Sequence, residues 1–138
     1  MDGDVRILIL SFYFPPDLSA GSFRVSALVK ELSKKINVDD RLDVMTTQPS
    51  RYGSYNPPAQ SYEENANVII NRIRLPRDAS GFYGHIKSFL YFAYQAKKSI
   101  KEGRYDLVFV SSSRLMTAVL GAWIAKSQKA KLYVDIRD

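Results

Sequence analysis

The sequence predicts an α/β domain, a parallel sheet with helices on both faces. Three observations carry this. Apolar runs such as Val5–Ser11 and Asp106–Ser111 read as strands buried on both faces. Helical hydrophobic periodicity separates them. Strands alternating with helices imply right-handed crossovers and a parallel sheet.

The first strand, Val5 to Ser11, runs into Phe12-Tyr13-Phe14-Pro15-Pro16, where two prolines forbid helix. The first helix covers Ser22 to Lys35, with Val25, Leu28, Val29, Leu32 and Ile36 inward and Lys30, Glu31, Lys34 and Lys35 outward. Leu42 to Thr47 is a second strand. Gln48 to Asn65, with three prolines, reads as a long loop. Val68 to Leu75 is the third strand, ended by Pro76.

The second helix runs from Phe82 to Glu102 and stops at Gly103, with Ile86, Phe89, Leu90, Ala93 and Ile100 as its core face. Asp106 to Ser111 is the fourth strand. Ser113 caps a third helix ending near Lys126, and Lys131 to Asp138 is the fifth strand. The pattern is that of a Rossmann-like half, one domain over residues 1–138. Because the sequence stops at a strand with no covering helix, a fragment of a longer protein is expected. Its uncovered apolar surface would favour self-association.

The 138 residues are 46% apolar and 25% charged, an ordinary globular composition. No cysteine is present, which excludes disulfides and thiolate metal sites. With a single histidine, His85, no metal is expected, and that residue reads as an ordinary helix-start side chain. The net charge of +6 favours anionic partners. The acidic start, Met1-Asp2-Gly3-Asp4, lacks a signal-peptide profile, and no apolar run approaches the roughly 20 residues of a membrane span. A cytoplasmic protein is expected, soluble or peripheral to the inner face of the plasma membrane.

The loop after the first strand has only Gly21 near the helix start, so it lacks the dinucleotide fingerprint. A Walker sequence is also missing, and no cofactor is expected. Gly21, Ser22 and Arg24 in the first helical turn suit an anion, because helix N–H groups and a guanidinium converge there. The plainer reading of Arg24 is a solvated arginine. Ser111 and Ser112 end the fourth strand, and Asp135, Arg137 and Asp138 end the fifth. Ligands of open α/β sheets bind beyond those strand ends.

The second helix spreads aromatics beyond its core face: Phe82, Tyr83, Tyr91, Phe92 and Tyr94. Arg72, Arg74, Lys97, Lys98 and Lys101 accompany it and are candidates to face an anionic membrane surface. The plainer reading is a wide helix packed between the sheet and a partner domain.

The first strand, Tyr13-Phe14-Pro15-Pro16, the Gly21 to Arg24 helix start, Leu28 to Leu32, Asp106 to Ser112 and the closing Val134-Asp135-Ile136-Arg137-Asp138 together carry a resemblance. The chain resembles the N-terminal half of a GT-B glycosyltransferase of glycosyltransferase family 4, of the bacterial surface-polysaccharide type. The resemblance covers nearly the whole chain. It departs at Ala20, where the family has paired glycines, and at Asn37–Arg41, which replaces a short turn and reads as a harmless surface change.

What the resemblance implies is a retaining enzyme that moves a sugar from a nucleotide-sugar donor to a glycan or lipid-linked acceptor, with no nucleic-acid partner. The donor-binding half, with the family's paired glutamates, lies outside this sequence. The chain alone is then an inactive acceptor-binding half with its catalytic residues unknown. Gly21 and Arg24 would border the donor phosphates or an acceptor anion, and Asp135, Arg137 and Asp138 the cleft floor. The alternative is a stand-alone anion-binding or membrane-recruitment module working with a separate partner.

Overall fold

The computed structural model describes residues 5–11, 20–37, 39–47, 62–65, 67–73, 81–100, 105–112 and 115–136; of residues 20–22, 65, 82, 85, 88, 99, 100, 112, 115, 116 and 136 it describes the backbone only. Among the described residues the elements are β1 (Arg6–Ser11), α1 (Ala20–Lys35), β2 (Arg41–Thr47), β3 (Tyr62–Asn65), β4 (Val68–Ile73), α2 (Gly81–Ile100), β5 (Leu107–Ser112), α3 (Leu115–Gln128) and β6 (Lys131–Ile136). The six-stranded sheet has the order β3-β4-β2-β1-β5-β6. Every pairing is parallel except β3 with β4. This is the Rossmann-like α/β architecture that the alternating pattern predicts.

Strand alternation divides the core in two. Ile7, Ile9, Leu42, Val44 and Val68 face α1 and meet Val25 and Val29, with Leu28, Leu32 and Ile36 alongside. Leu8, Leu10, Met45, Val108 and Val110 face the other way, against Phe92 and Ala96 of α2 and Leu120, Ile124 and Ala125 of α3. The inner face of α1 is the one its periodicity predicts. That of α2 is rotated. Phe92 is fully buried, Phe89 and Ala93 are partly so, and Ile86 and Leu90 are exposed. Phe92 and Ala96 are the side chains that α2 buries in this cluster, with Phe89 and Ala93 packed against it.

A close approach also seats α3. A Cβ on Gly121 would stand 2.1 Å from Val110 Cγ2, so only glycine lets the helix reach β5 here. The helix ends in a Schellman turn: Ala130 N donates to Ala125 O at 2.8 Å and Lys129 N to Lys126 O at 3.3 Å. Lys129 takes the left-handed conformation this requires, with φ 55°.

Two further differences from the sequence reading have physical reasons. β3 emerges at the end of the expected loop, an antiparallel edge strand whose Tyr-Glu-Glu-Asn carries no apolar alternation. Asn37–Arg41 is more than a surface change. Asp40 accepts hydrogen bonds from the backbone N–H groups of Val5 (2.9 Å) and Asn37 (2.8 Å), which hold its carboxyl below the usual range and bracket β1 to the turn. In agreement with the sequence reading, no helix among the described residues is long and apolar enough to cross a membrane.

Candidate functional site

From β1 the chain crosses toward β2 on one side, and from β5 toward β6 on the other. The strand order therefore switches between β1 and β5, where open α/β sheets hold their ligands beyond the carboxyl ends. A polar row lies there. Thr46 pairs in register with Arg72, and Ser111 pairs with both Ser11 and Asp135. One step beyond Leu10↔Met45, Ser11 stands beside Thr46. Since Ile9 and Val44 face α1, the residues two places on face it as well.

Arg72, Thr46, Ser11 and Ser111 in this row are all buried. The Thr46 hydroxyl makes no hydrogen bond among the described residues, an uncommon state for a buried polar atom. Asp135, at the open end of the row, receives Arg24 from the first turns of α1: Nη2 donates to Oδ1 at 3.1 Å. The guanidinium side chain is 59% exposed and the carboxylate side chain 18%. Arg24 is thus neither purely solvated nor an isolated anion clamp. One nitrogen is held by Asp135, and much of the guanidinium still faces outward.

Beneath this ion pair, Phe109 and Tyr133 stack at 5.1 Å between ring centroids, 12° from parallel. They are cross-strand neighbours on the face beside α1, where Phe109 packs against the α1 cluster and no described helix covers β6. Arg24, Val25, Leu28, Phe109, Tyr133 and Asp135 line a pocket of about 170 Å³. Complete small-molecule sites measure roughly 300–1,000 Å³, so this is the size of one subsite or one wall. Chemically it offers N–H donors, a carboxylate acceptor and aromatic surface. No group of three His, Asp or Glu side chains suited to a metal occurs among the described residues.

Of the residues expected at a site, Arg24, Ser111 and Asp135 come together. Gly21 and Ser22 lie in the first turn of α1 and Ser112 ends β5, with their side chains outside the described residues. Arg137 and Asp138 lie outside the described residues, as do Arg74, Lys101 and Ser113 and the side chain of His85. Arg72 is a correction. It is 8% exposed, ion-paired with Glu63 of β3, and on the α1 face, because its neighbour Ile73 packs on the other. It therefore faces no membrane. Ser11, Thr46, Phe109 and Tyr133 were missed, although an i, i+2 count along each strand aligns them with the residues that were named.

No protein-family model matches the chain, and no curated protein does. Solved structures do. One is the C-terminal domain (residues 78–226) of the PF1911 hydrogenase from Pyrococcus furiosus, at 14% identity and a TM-score of 0.57, covering 99% of this chain and 94% of that one. At that identity the likeness establishes the fold, and the chain is a Rossmann-like α/β domain.

Proposed function

We propose that the chain is the acceptor-side half of a retaining GT-B glycosyltransferase of family 4, serving a cell-envelope polysaccharide or glycolipid acceptor. The observation that carries this reading is the Arg24–Asp135 bridge over an open pocket at the carboxyl ends of β5 and β6. In this reading the pocket takes part of the acceptor saccharide. Phe109 and Tyr133 contact sugar C–H groups, Asp135 accepts from hydroxyls, and Arg24 gives its outward N–H groups to a phosphate. The N-terminus of α1, with Gly21 and Ser22, favours the same anion. The pocket's small volume supports a site whose second wall belongs to the donor-binding half.

Titration of the chain followed by two-dimensional NMR tests this. Saccharide phosphates should perturb the amides of Arg24, Val25, Ser111 and Asp135. Arg24→Ala should weaken that binding about tenfold to a hundredfold, the equivalent of a charge-assisted hydrogen bond of about 1.5–3 kcal/mol. Nucleotide-sugars should bind no tighter than millimolar, because one wall cannot hold both substrates. Micromolar nucleotide-sugar binding by this chain would overturn the acceptor-side assignment. Inorganic phosphate binding as tightly as its saccharide esters would favour the stand-alone anion-binding module.

A further inference from the structure

On the face of the sheet opposite α1, α2 and α3 lie together with their inner sides in the core. Their outer sides are unusual. α2 exposes Tyr83, Ile86, Leu90 and Tyr94, spaced so that all four share its solvent face, with Lys87, Lys97 and Lys98 among them. α3 exposes Val119, Trp123 and Lys126 at the same kind of spacing. Lys97 Nζ stands 4.5 Å from the centroid of the Trp123 ring, which joins the two outer sides into one surface.

That surface has no negative charge from the helices that build it. The chain has 14 Asp and Glu residues, and none falls between 79 and 101 or between 107 and 134. The outer side of α1 mixes the signs, with Glu31 among Lys30, Lys34 and Lys35, as solvated helix faces ordinarily do. Lysines around exposed tyrosine, tryptophan and leucine, without a carboxylate, match the chemistry of an anionic bilayer surface.

We propose that the outer face of α2 and α3 docks on anionic phospholipid, with both helices lying in the plane of the membrane. Leu90 and Val119 enter the acyl boundary, Tyr94 and Trp123 sit at headgroup depth, and Lys87, Lys98 and Lys126 meet the phosphates. α3 joins α2 in the surface, and the arginine of β4 has no part in it. The proposal rests on charge and exposure at this face and stands independently of the glycosyltransferase reading.

Trp123 is the only tryptophan, so its emission reports this face directly. Mixing the chain with phosphatidylglycerol–phosphatidylcholine vesicles at low salt should shift the emission to the blue and bring the protein down with the vesicles. Pure phosphatidylcholine should do neither, and high salt should reverse both effects. Lys87→Glu with Lys98→Glu, both exposed and clear of the Lys97–Trp123 contact, should weaken binding at least about 25-fold, since each basic residue is worth about fivefold at such a surface. Leu90→Glu should abolish the blue shift, with far-UV circular dichroism checking that each variant folds. Absence of binding to the anionic vesicles would overturn the proposal. So would equal binding to neutral ones, or unchanged binding by the folded lysine variant, and the face would then belong to a protein partner.

Discussion

Two aspartates anchor arginines at opposite corners of the same sheet, and their surroundings differ in kind. Asp43, near the amino ends of the strands on the face of α2 and α3, is 6% exposed. Arg41 Nε donates to its Oδ1 at 3.1 Å, the Tyr105 hydroxyl donates to Oδ2 at 2.6 Å, and Arg6 approaches to 3.7 Å while its guanidinium lies over the Tyr105 ring. Asp135, at the carboxyl ends on the α1 face, has among the described residues the one partner Arg24, above an open pocket. The first corner satisfies its carboxylate within the protein. The second leaves polar capacity facing outward. A charge cluster closed on itself stabilises a fold, whereas one left half-open can hold something else.

Removing the closed corner should have the largest effect. Asp43→Ala leaves a buried phenol without its acceptor and two partly exposed arginines without their carboxylate, so it should cost about 2–4 kcal/mol. Urea denaturation measures it. A loss under about 1 kcal/mol would mean that the two corners do not differ.

Tyr105→Phe should cost less, about 1.5–3 kcal/mol, for one hydrogen bond to a charged acceptor. It also carries a pH signature. Burial first, then the bond to Asp43, holds the Tyr105 phenol well above its ordinary value of about 10. A raised folded pKa means that this contribution is complete below pH 10 and is lost as the pH rises above it. Denaturation midpoints should therefore fall at alkaline pH, and Tyr105→Phe should flatten that fall.

Lys129→Gly, which touches neither carboxylate, calibrates the scale. Relief of the left-handed lysine in the Schellman turn should stabilise the fold by about 0.5–1 kcal/mol, read as a rise in Tm. The open corner should matter least. Asp135→Ala removes an ion pair whose arginine side chain is 59% exposed, so screening holds the loss below about 1 kcal/mol. A cost comparable to that of Asp43→Ala would make the Arg24–Asp135 bridge a structural clasp.

The contrast also separates what was legible in the sequence from what was not. β1 and β5 are near-continuous apolar runs because both their faces are covered, and they stand out unaided. β3 does not, since a short polar edge strand is defined by its partner β4 and not by its own residues. Arg72 reads as a surface cation until its place opposite Ile73 is counted, which puts it on the α1 face of the sheet beside Glu63. The core face of α2 is ambiguous because nearly every turn offers an apolar residue, and packing against the sheet selects Phe92. Arg24 and Asp135 each stand out singly. Their pairing across 111 positions of sequence is set only by the strand order.

The position of β1 has a consequence in time. Its neighbours in the sheet are β2 and β5, and its Arg6 N–H donates to Asp106 Oδ2, 100 residues further along. At a synthesis rate of about 5–20 residues per second, that second neighbour emerges roughly 5–20 s after β1 does. Through that interval a strand whose Ile7 to Ser11 are all buried in the finished fold has one unpaired edge. Early folding therefore draws on β1, α1, β2, β3 and β4, whose contacts are closer in sequence. A nascent chain halted before Asp106 would present that edge to chaperones, and one extended through Ser112 would close it.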